Sequence, residues 1–401
     1  MTDHLVLGLG GTVDYEIEWD SAVLEGLVEA YGIAPGDLST TAPITDERSL
    51  VVTVLAFLEL GVGGERFVAS SDIVEQFAAR FPTRITLGGT GVRAGIAMES
   101  LGVPSTQHLV SIDDNVRRLL PASTAYISSA DRDTLDPHLI VQFAAGTRVA
   151  AGGIDITAPN SNRVILANDP PNREMRLSAE LPATLRGAAA FLVSGFNTMK
   201  DRALLESRLE ELSLALAHLP DDSLVFYEDA GFYESTFSSR VRERILQHID
   251  VYSLNEDELQ EYLARPLDLL DPEEMSAALV QARALIPAPV LVVHTRYWAL
   301  AFGVGAEAYR AGLVGGVTMA GTRYRVGDGH DADDYAETLG FEQHAGGVEF
   351  ATAIESRFPG TAVCVPAYVL DTATPTTIGL GDSFVGGFLA AWYLSRETAD
   401  A

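Results

Sequence analysis

The stretch Thr376-Thr377-Ile378-Gly379-Leu380-Gly381-Asp382-Ser383-Phe384-Val385-Gly386-Gly387-Phe388-Leu389-Ala390-Ala391-Trp392 carries the most specific pattern in the chain. Its glycines let the backbone turn tightly, and the apolar run from Phe384 onward reads as a helix. A glycine-rich turn that opens a helix aims several backbone amides and the positive end of the helix dipole at one point, which suits an anion. An aspartate at that point can take a proton from a substrate hydroxyl while the amides hold a phosphate. Positioning, charge neutralisation and a base are what phosphoryl transfer requires.

Upstream of this turn, short apolar strands alternate with helix-length segments, the pattern of a parallel sheet covered on both faces. The clearest strands are His4–Leu9, Ala190–Val193, Ser223–Phe226, Val251–Ser253, Val290–Val293 and Ala362–Val365. Helices are expected over Asp201–His218, Ser238–His248 and Pro272–Leu285; in the first, Leu204, Leu205, Leu209, Leu212 and Leu216 make one packing stripe. Residues 105–180 differ, with Val, Ile and Thr scattered among Asp, Asn and Pro. Ala125–Ser129, Leu139–Ala144, Arg148–Ala150 and Val164–Leu166 read there as short strands. They predict a smaller β-rich element beside the main body, either a lid or a plain insertion.

Four successive strands run from apolar residues into polar clusters: FLVSGFNTMKD, LVFYEDAGF, VYSLNEDEL and VLVVHTRYW. Ligands of open parallel sheets bind outside the carboxyl ends of the strands. One rim is therefore expected to carry Asn197, Glu228, Asp229, Asn255, Glu258, His294, Thr295 and Arg296. Its oxygen donors suit Mg²⁺ held by one or two carboxylates, water and substrate phosphates. Asn255 and Glu258, three apart, share a helix face and could hold the metal; they also fit a capping box, and both can hold at once.

The formal charge of −29 argues against nucleic acid and anionic membranes as partners. Lys200 is the one lysine, and the acidity reads as a solvated surface or as salt adaptation. A single cysteine, Cys364, excludes an intramolecular disulfide and a thiolate metal cluster and points to a reducing compartment. No targeting signal or membrane-length apolar run is visible, so a soluble cytoplasmic protein is expected. A dinucleotide fingerprint at Gly8-Leu9-Gly10-Gly11 fails because Val13 stands where its third glycine belongs. His330 lies in GDGHDADD, expected as a solvated acidic loop, with a cation site there as the alternative. Oligomeric state is left open; an edge of the small β element offers one surface for a homo-oligomer contact.

TIGLGDSFVGGF resembles the catalytic signature of the ribokinase-like sugar kinases. NEDE at 255–258, VVHTRYWAL, VSGFN, SNRVI at 161–165 and LGGTGVRAGIAMESLGV at 87–103 resemble one branch, the ADP-dependent glucokinases and phosphofructokinases. The matches run in the expected order from about residue 5 to 390. The resemblance implies a single α/β catalytic unit over 1–401, with a parallel sheet flanked by helices. A discontinuous lid is expected mainly within 105–180, with a contribution near 12–20. It implies Asp382 as general base, with Gly379, Leu380 and Gly381 as the anion hole. Asn255 and Glu258 would organise Mg²⁺, with Glu228 as a further carboxylate. Asp14, Gly88, Gly89, Asn162 and Arg163 would bind the sugar or its phosphate, and Asn197, His294, Thr295 and Arg296 the nucleotide. Departures from the pattern are Phe226-Tyr227-Glu228, which lacks the branch's histidine, and Arg93 where many relatives carry asparagine. The expectation is phosphoryl transfer from ADP to glucose or fructose 6-phosphate. The alternatives are an ATP-dependent kinase of the same fold, or a sensor that binds without turnover.

Overall fold

The computed structural model describes residues 4–372 and 375–400. A nine-stranded sheet forms the body, in the spatial order Ala362–Pro366, Trp298–Gly303, Val290–His294, Val251–Asn255, Leu224–Glu228, Ala188–Val193, His4–Leu7, Ser105–Leu109, Ala125–Ser128. Trp298–Gly303 runs antiparallel to both its neighbours, and the other pairings are parallel. The strands are near-continuous apolar runs because each face is covered by helices: AAAFLV at Ala188–Val193 is buried throughout. The helices Arg202–Leu216, Ser235–Ile245 and Pro272–Leu285 form where the sequence places them, within three residues at each end.

A second, five-stranded sheet lies in the order Gly64–Phe67, Asn162–Ala167, His138–Phe143, Thr12–Ile17, Thr83–Gly88. One side of it is apolar. Tyr15, Ile17, Leu139, Val141, Val164 and Leu166 pack on one side against the helices Ser21–Tyr31, Glu47–Leu60 and Ser71–Ala78. The other side, with Asp14, Glu16, Arg84, His138, Arg163 and Glu65, is polar.

The small element is thus drawn differently from the expected 105–180 plus 12–20. Ser105–Leu109 and Ala125–Ser128 pair into the large sheet beside His4–Leu7, where Leu109 and Ile127 are buried. The strands Gly64–Phe67 and Thr83–Gly88, with three helices, belong to the small body instead. GERF is a four-residue polar edge strand with no period to detect, and Glu47–Leu60 is buried on almost every side, which erases an amphipathic stripe.

The helix that follows the glycine turn, Leu380–Asp400, packs closely on Arg310–Val326. A Cβ on Gly315 would sit 2.3 Å from the Gly387 carbonyl oxygen, and one on Gly386 would sit 2.4 Å from that of Ala94. The second glycine pair of the signature therefore has a packing role: it seats the helix against both neighbours with no room for a side chain. No helix of the described residues is long and apolar enough to cross a membrane.

Candidate active site

The carboxyl ends of the large sheet face the polar side of the small one, and the glycine turn lies between. Gly379 has φ 69°, a conformation that favours glycine, and its carbonyl accepts from the Ser383 amide at 2.9 Å as the helix begins. Asp382, in the first turn, keeps about a quarter of its side chain exposed (24%). The sequence placed a carboxylate at the start of this helix, and Asp382 stands there, partly exposed.

On the small sheet, Asp14 is buried and its two oxygens are both engaged. The Thr12 hydroxyl donates to Oδ1 at 2.7 Å, and Arg93 Nη2 donates to Oδ2 at 2.9 Å. A Cβ on Gly88 would lie 2.4 Å from that carboxylate and 2.2 Å from Thr12 Oγ1, so the motif glycine makes space for the aspartate. Gly89 caps the helix Thr90–Glu99, which delivers Arg93 into the site. Arg93 Nε lies 3.9 Å from Asp382 Oδ2, so one guanidinium stands between the two aspartates. Asn162 and Arg163 start the strand Asn162–Ala167 on the small sheet; Asn162 Oδ1 accepts from the Arg163 amide, and Arg163 shares the polar face with Asp14.

On the large sheet, Asn255 and Glu258 close the expected capping box. Asn255 Oδ1 accepts from the Asp257 and Glu258 amides, and Glu258 Oε2 accepts from the Asn255 amide at 2.8 Å. Burial, with Glu228 close by, pushes the Glu258 carboxyl up to about 8. Glu228 gives Oε1 to His294 Nε2 at 3.0 Å, while its Oε2 is buried without a partner among the described residues. Burial works against a charged His294, but Glu228 and Glu258 outweigh it and hold its pKa above the usual value. The ring stacks on Phe384 at 4.5 Å and lies 3.5 Å from where a Gly381 Cβ would be, under the start of the helix. Two carboxylates kept together in a buried place, one with an orphaned oxygen, fit a hard cation held partly through water. No group of three or more His, Cys, Asp or Glu able to hold a metal occurs among the described residues, so the protein would supply few of its ligands.

Not every rim residue joins the site. Asp229 does not sit with Glu228: its carboxylate accepts from Tyr252 at 2.8 Å and from Tyr262, beside a cavity that it lines together with Glu258. Thr295 is occupied in the hairpin turn, its hydroxyl donating to the Trp298 carbonyl, and exposed Arg296 lies over the Tyr297 ring. Asn197 stands at the end of a strand three places from His294 in the sheet, roughly 14 Å at the usual strand spacing. The four expected nucleotide residues therefore do not form one cluster.

The structure also brings in residues that the sequence reading passed over. Asp328 ties Arg323 to Arg84 of the small sheet, and Arg323 Nε donates to the Ile378 carbonyl at 2.6 Å, next to the turn. His330 is buried, with Nδ1 on the Gly327 carbonyl. The loop GDGHDADD is not merely solvated, because the two arginines draw Asp328 inward. At the far edge, Tyr233 donates to Glu65 at 2.7 Å and Lys200 Nζ lies 3.4 Å from the Phe67 ring centre. His138 meets Asp169 at 2.9 Å between them. The alternation of TVDYEI could have paired Glu16 with Asp14; nothing local announces the rest.

Comparison with known proteins agrees with this architecture. Residues 3–296 match the model of the ADP-specific phosphofructokinase/glucokinase conserved region. A phosphofructokinase from Pyrococcus horikoshii OT3, solved with AMP, superposes with TM-score 0.79 at 18% identity, covering 99% of both chains. The reconstructed last common ancestor of the ADP-dependent phosphofructokinases of Methanosarcinales gives 0.75 at 15% identity, covering 97% of this chain and 93% of that one. An ADP-dependent kinase in complex with fructose-6-phosphate and ADPbetaS gives 0.71 at 13%, with the same coverage. No curated protein matches the chain.

Proposed function

The chain belongs to the ADP-specific phosphofructokinase/glucokinase family, a family of kinases, and from that premise we propose that it phosphorylates a hexose or hexose phosphate with ADP as donor. Fructose 6-phosphate and glucose are the leading acceptors, and a related fold has been solved with fructose-6-phosphate and an ADP analogue. The single observation that carries the reading is the meeting of Asp382, at the glycine turn of one sheet, with Asp14 of the other through one arginine.

In this reading the acceptor lies in the cleft against Asp14, with its hydroxyl facing Asp382. Asp382 accepts the hydroxyl proton, the acceptor oxygen bonds to the terminal phosphorus of ADP, and the bond to the bridging oxygen breaks to release AMP. The amides of Gly379, Leu380 and Gly381 hold the phosphoryl oxygens. Glu228, Glu258 and Asn255 would hold Mg²⁺, which when bound neutralises phosphate charge. His294 fixes Glu228 beneath the helix start. The small sheet, closing over the cleft, would exclude water and suppress hydrolysis of the donor.

Phosphorus NMR of the protein with Mg²⁺, equal ADP and ATP, glucose and fructose 6-phosphate tests this directly. AMP with a new sugar phosphate is expected. ADP accumulating from ATP would replace the donor, and no transfer to either acceptor would remove the assignment.

A further inference from the structure

Arg93 does more in this geometry than neutralise a neighbour. Its helix packs on the helix that follows the glycine turn, where the Ala94 carbonyl lies against Gly386. The guanidinium is therefore carried on a rigid junction, and it is buried, with only 5% of its surface exposed. Its arm lies across the anion-hole turn: a Cβ on Gly379 would be 2.9 Å from Arg93 Cδ and 3.1 Å from Nη1. Nη2 is spent on Asp14, and among the described residues no other atom accepts a hydrogen bond from this side chain. Nε and Nη1 remain, on the side of Asp382 and Gly379. Arg93 also borders a cavity of about 250 Å³ whose wall mixes Arg84, Arg323, Asp328 and His330 with Leu87, Ile96 and Leu119.

The charges around it explain why it stays in place. Asp14 and Asp382 flank it, Glu16 Oε1 is 4.0 Å away, and Arg84 engages the far side of Glu16. A guanidinium presents donors in a planar fork that suits phosphate oxygens, and it is always charged. Placed beside the amides, it can follow charge that spreads over the transferring group as the donor bond breaks.

We propose that Arg93 is a catalytic residue, its unused N–H groups contacting the phosphoryl group as it passes from the anion hole to the acceptor hydroxyl near Asp382. This rests on the kinase reading above. No proton or electron moves through Arg93; it binds the three equatorial oxygens in part and lets go when the product leaves. Its second task, holding Asp14, is a positioning one and is separable.

The test is steady-state kinetics of Arg93→Ala and Arg93→Gln in the full chain, with AMP formation as the readout. Arg93→Ala should lower kcat by about 100-fold or more while the KM for ADP changes little. Added guanidinium ion should restore about tenfold of that loss, since the space and the flanking carboxylates remain. A purely structural counter-ion would instead raise the acceptor KM, leave kcat intact and ignore guanidinium, and that pattern overturns the proposal. Should Arg93→Ala fail to fold, Arg93→Gln keeps a donor for Asp14 without the charge; a wild-type kcat in that variant also overturns it. Absence of AMP from the unmodified protein overturns the kinase reading itself, and with it the role of Arg93, whereas unchanged kcat in the variants removes Arg93 alone.

Discussion

The two halves of the cleft handle buried charge in opposite ways. On the small-sheet side, Asp14 is paired with Arg93, which also reaches Asp382 of the glycine turn, and Glu16 has Arg84. On the large-sheet side, His294 pairs with Glu228, the Asn255 amide donates to Glu258, one Glu228 oxygen has no partner among the described residues, and the Glu258 carboxyl is pushed up to about 8. Two close carboxylates in a largely buried place resist being charged together, and one is held neutral by its raised pKa unless a cation joins them. The acceptor half carries its own cation and is pre-organised. The half around Glu228 and Glu258 lacks such a cation of its own, and it is there that the proposed Mg²⁺ would sit.

The largest test of this contrast removes the base. Asp382→Asn should lower kcat by roughly 1,000-fold, with ADP affinity by calorimetry changed only a few-fold. Retained turnover would mean that the proton goes elsewhere. Next, Gly88→Ala puts a methyl within 2.4 Å of the Asp14 carboxylate, so kcat/KM for the acceptor should fall by about 10- to 100-fold while ADP binding holds. Equal loss for both substrates would show that the halves are not independent.

A smaller and more specific effect separates them by protons. At pH 7 Glu258, with its pKa raised to about 8, is mostly protonated without metal, and a metal ligand must be ionised. Mg²⁺ binding should therefore release up to about one proton near pH 7, falling toward zero above pH 9, and Glu258→Gln should abolish the release. A weakly buffered titration measures it. Proton release that survives in Glu258→Gln would move the titrating group out of the metal half.

The smallest effect concerns the link between the sheets. Arg84 is more than half exposed, but Asp328 also holds buried Arg323, so the Arg84–Asp328 pair is read from a double-mutant cycle of Arg84→Ala and Asp328→Asn, whose coupling should be at most about 1 kcal/mol of stability. High salt should shrink that coupling in thermal unfolding. A larger and salt-insensitive coupling would make the link part of the core of the site.

How much was legible follows from where each signal lies. Thr376–Trp392 and Asn255–Glu258 are local: a turn, a helix start and a capping box are decided by residues within one turn of each other. The strand ends were legible because continuous apolar runs announce buried parallel strands. The small sheet's membership was not, since Gly64–Phe67 is short and polar and owes its place to pairing with Asn162–Ala167. Asp229 looked equivalent to Glu228, and only the fold shows that its carboxylate goes to Tyr252 and Tyr262 instead of joining Glu228.

By itself, the sequence determined the class of fold: a parallel sheet, a glycine turn opening a helix with an aspartate in its first turn, and oxygen donors on the neighbouring strand ends. These depend on short-range geometry, which periodicity and glycine placement encode directly. Only the tertiary structure decided which charges meet. Arg93 reaches Asp14 across 79 positions of chain, and Asp382 in the first turn of a helix far along the chain. A charge carries no mark of its partner in the sequence. Its meaning is set by which low-dielectric surface it is folded against, and by whether a counter-charge arrives there with it.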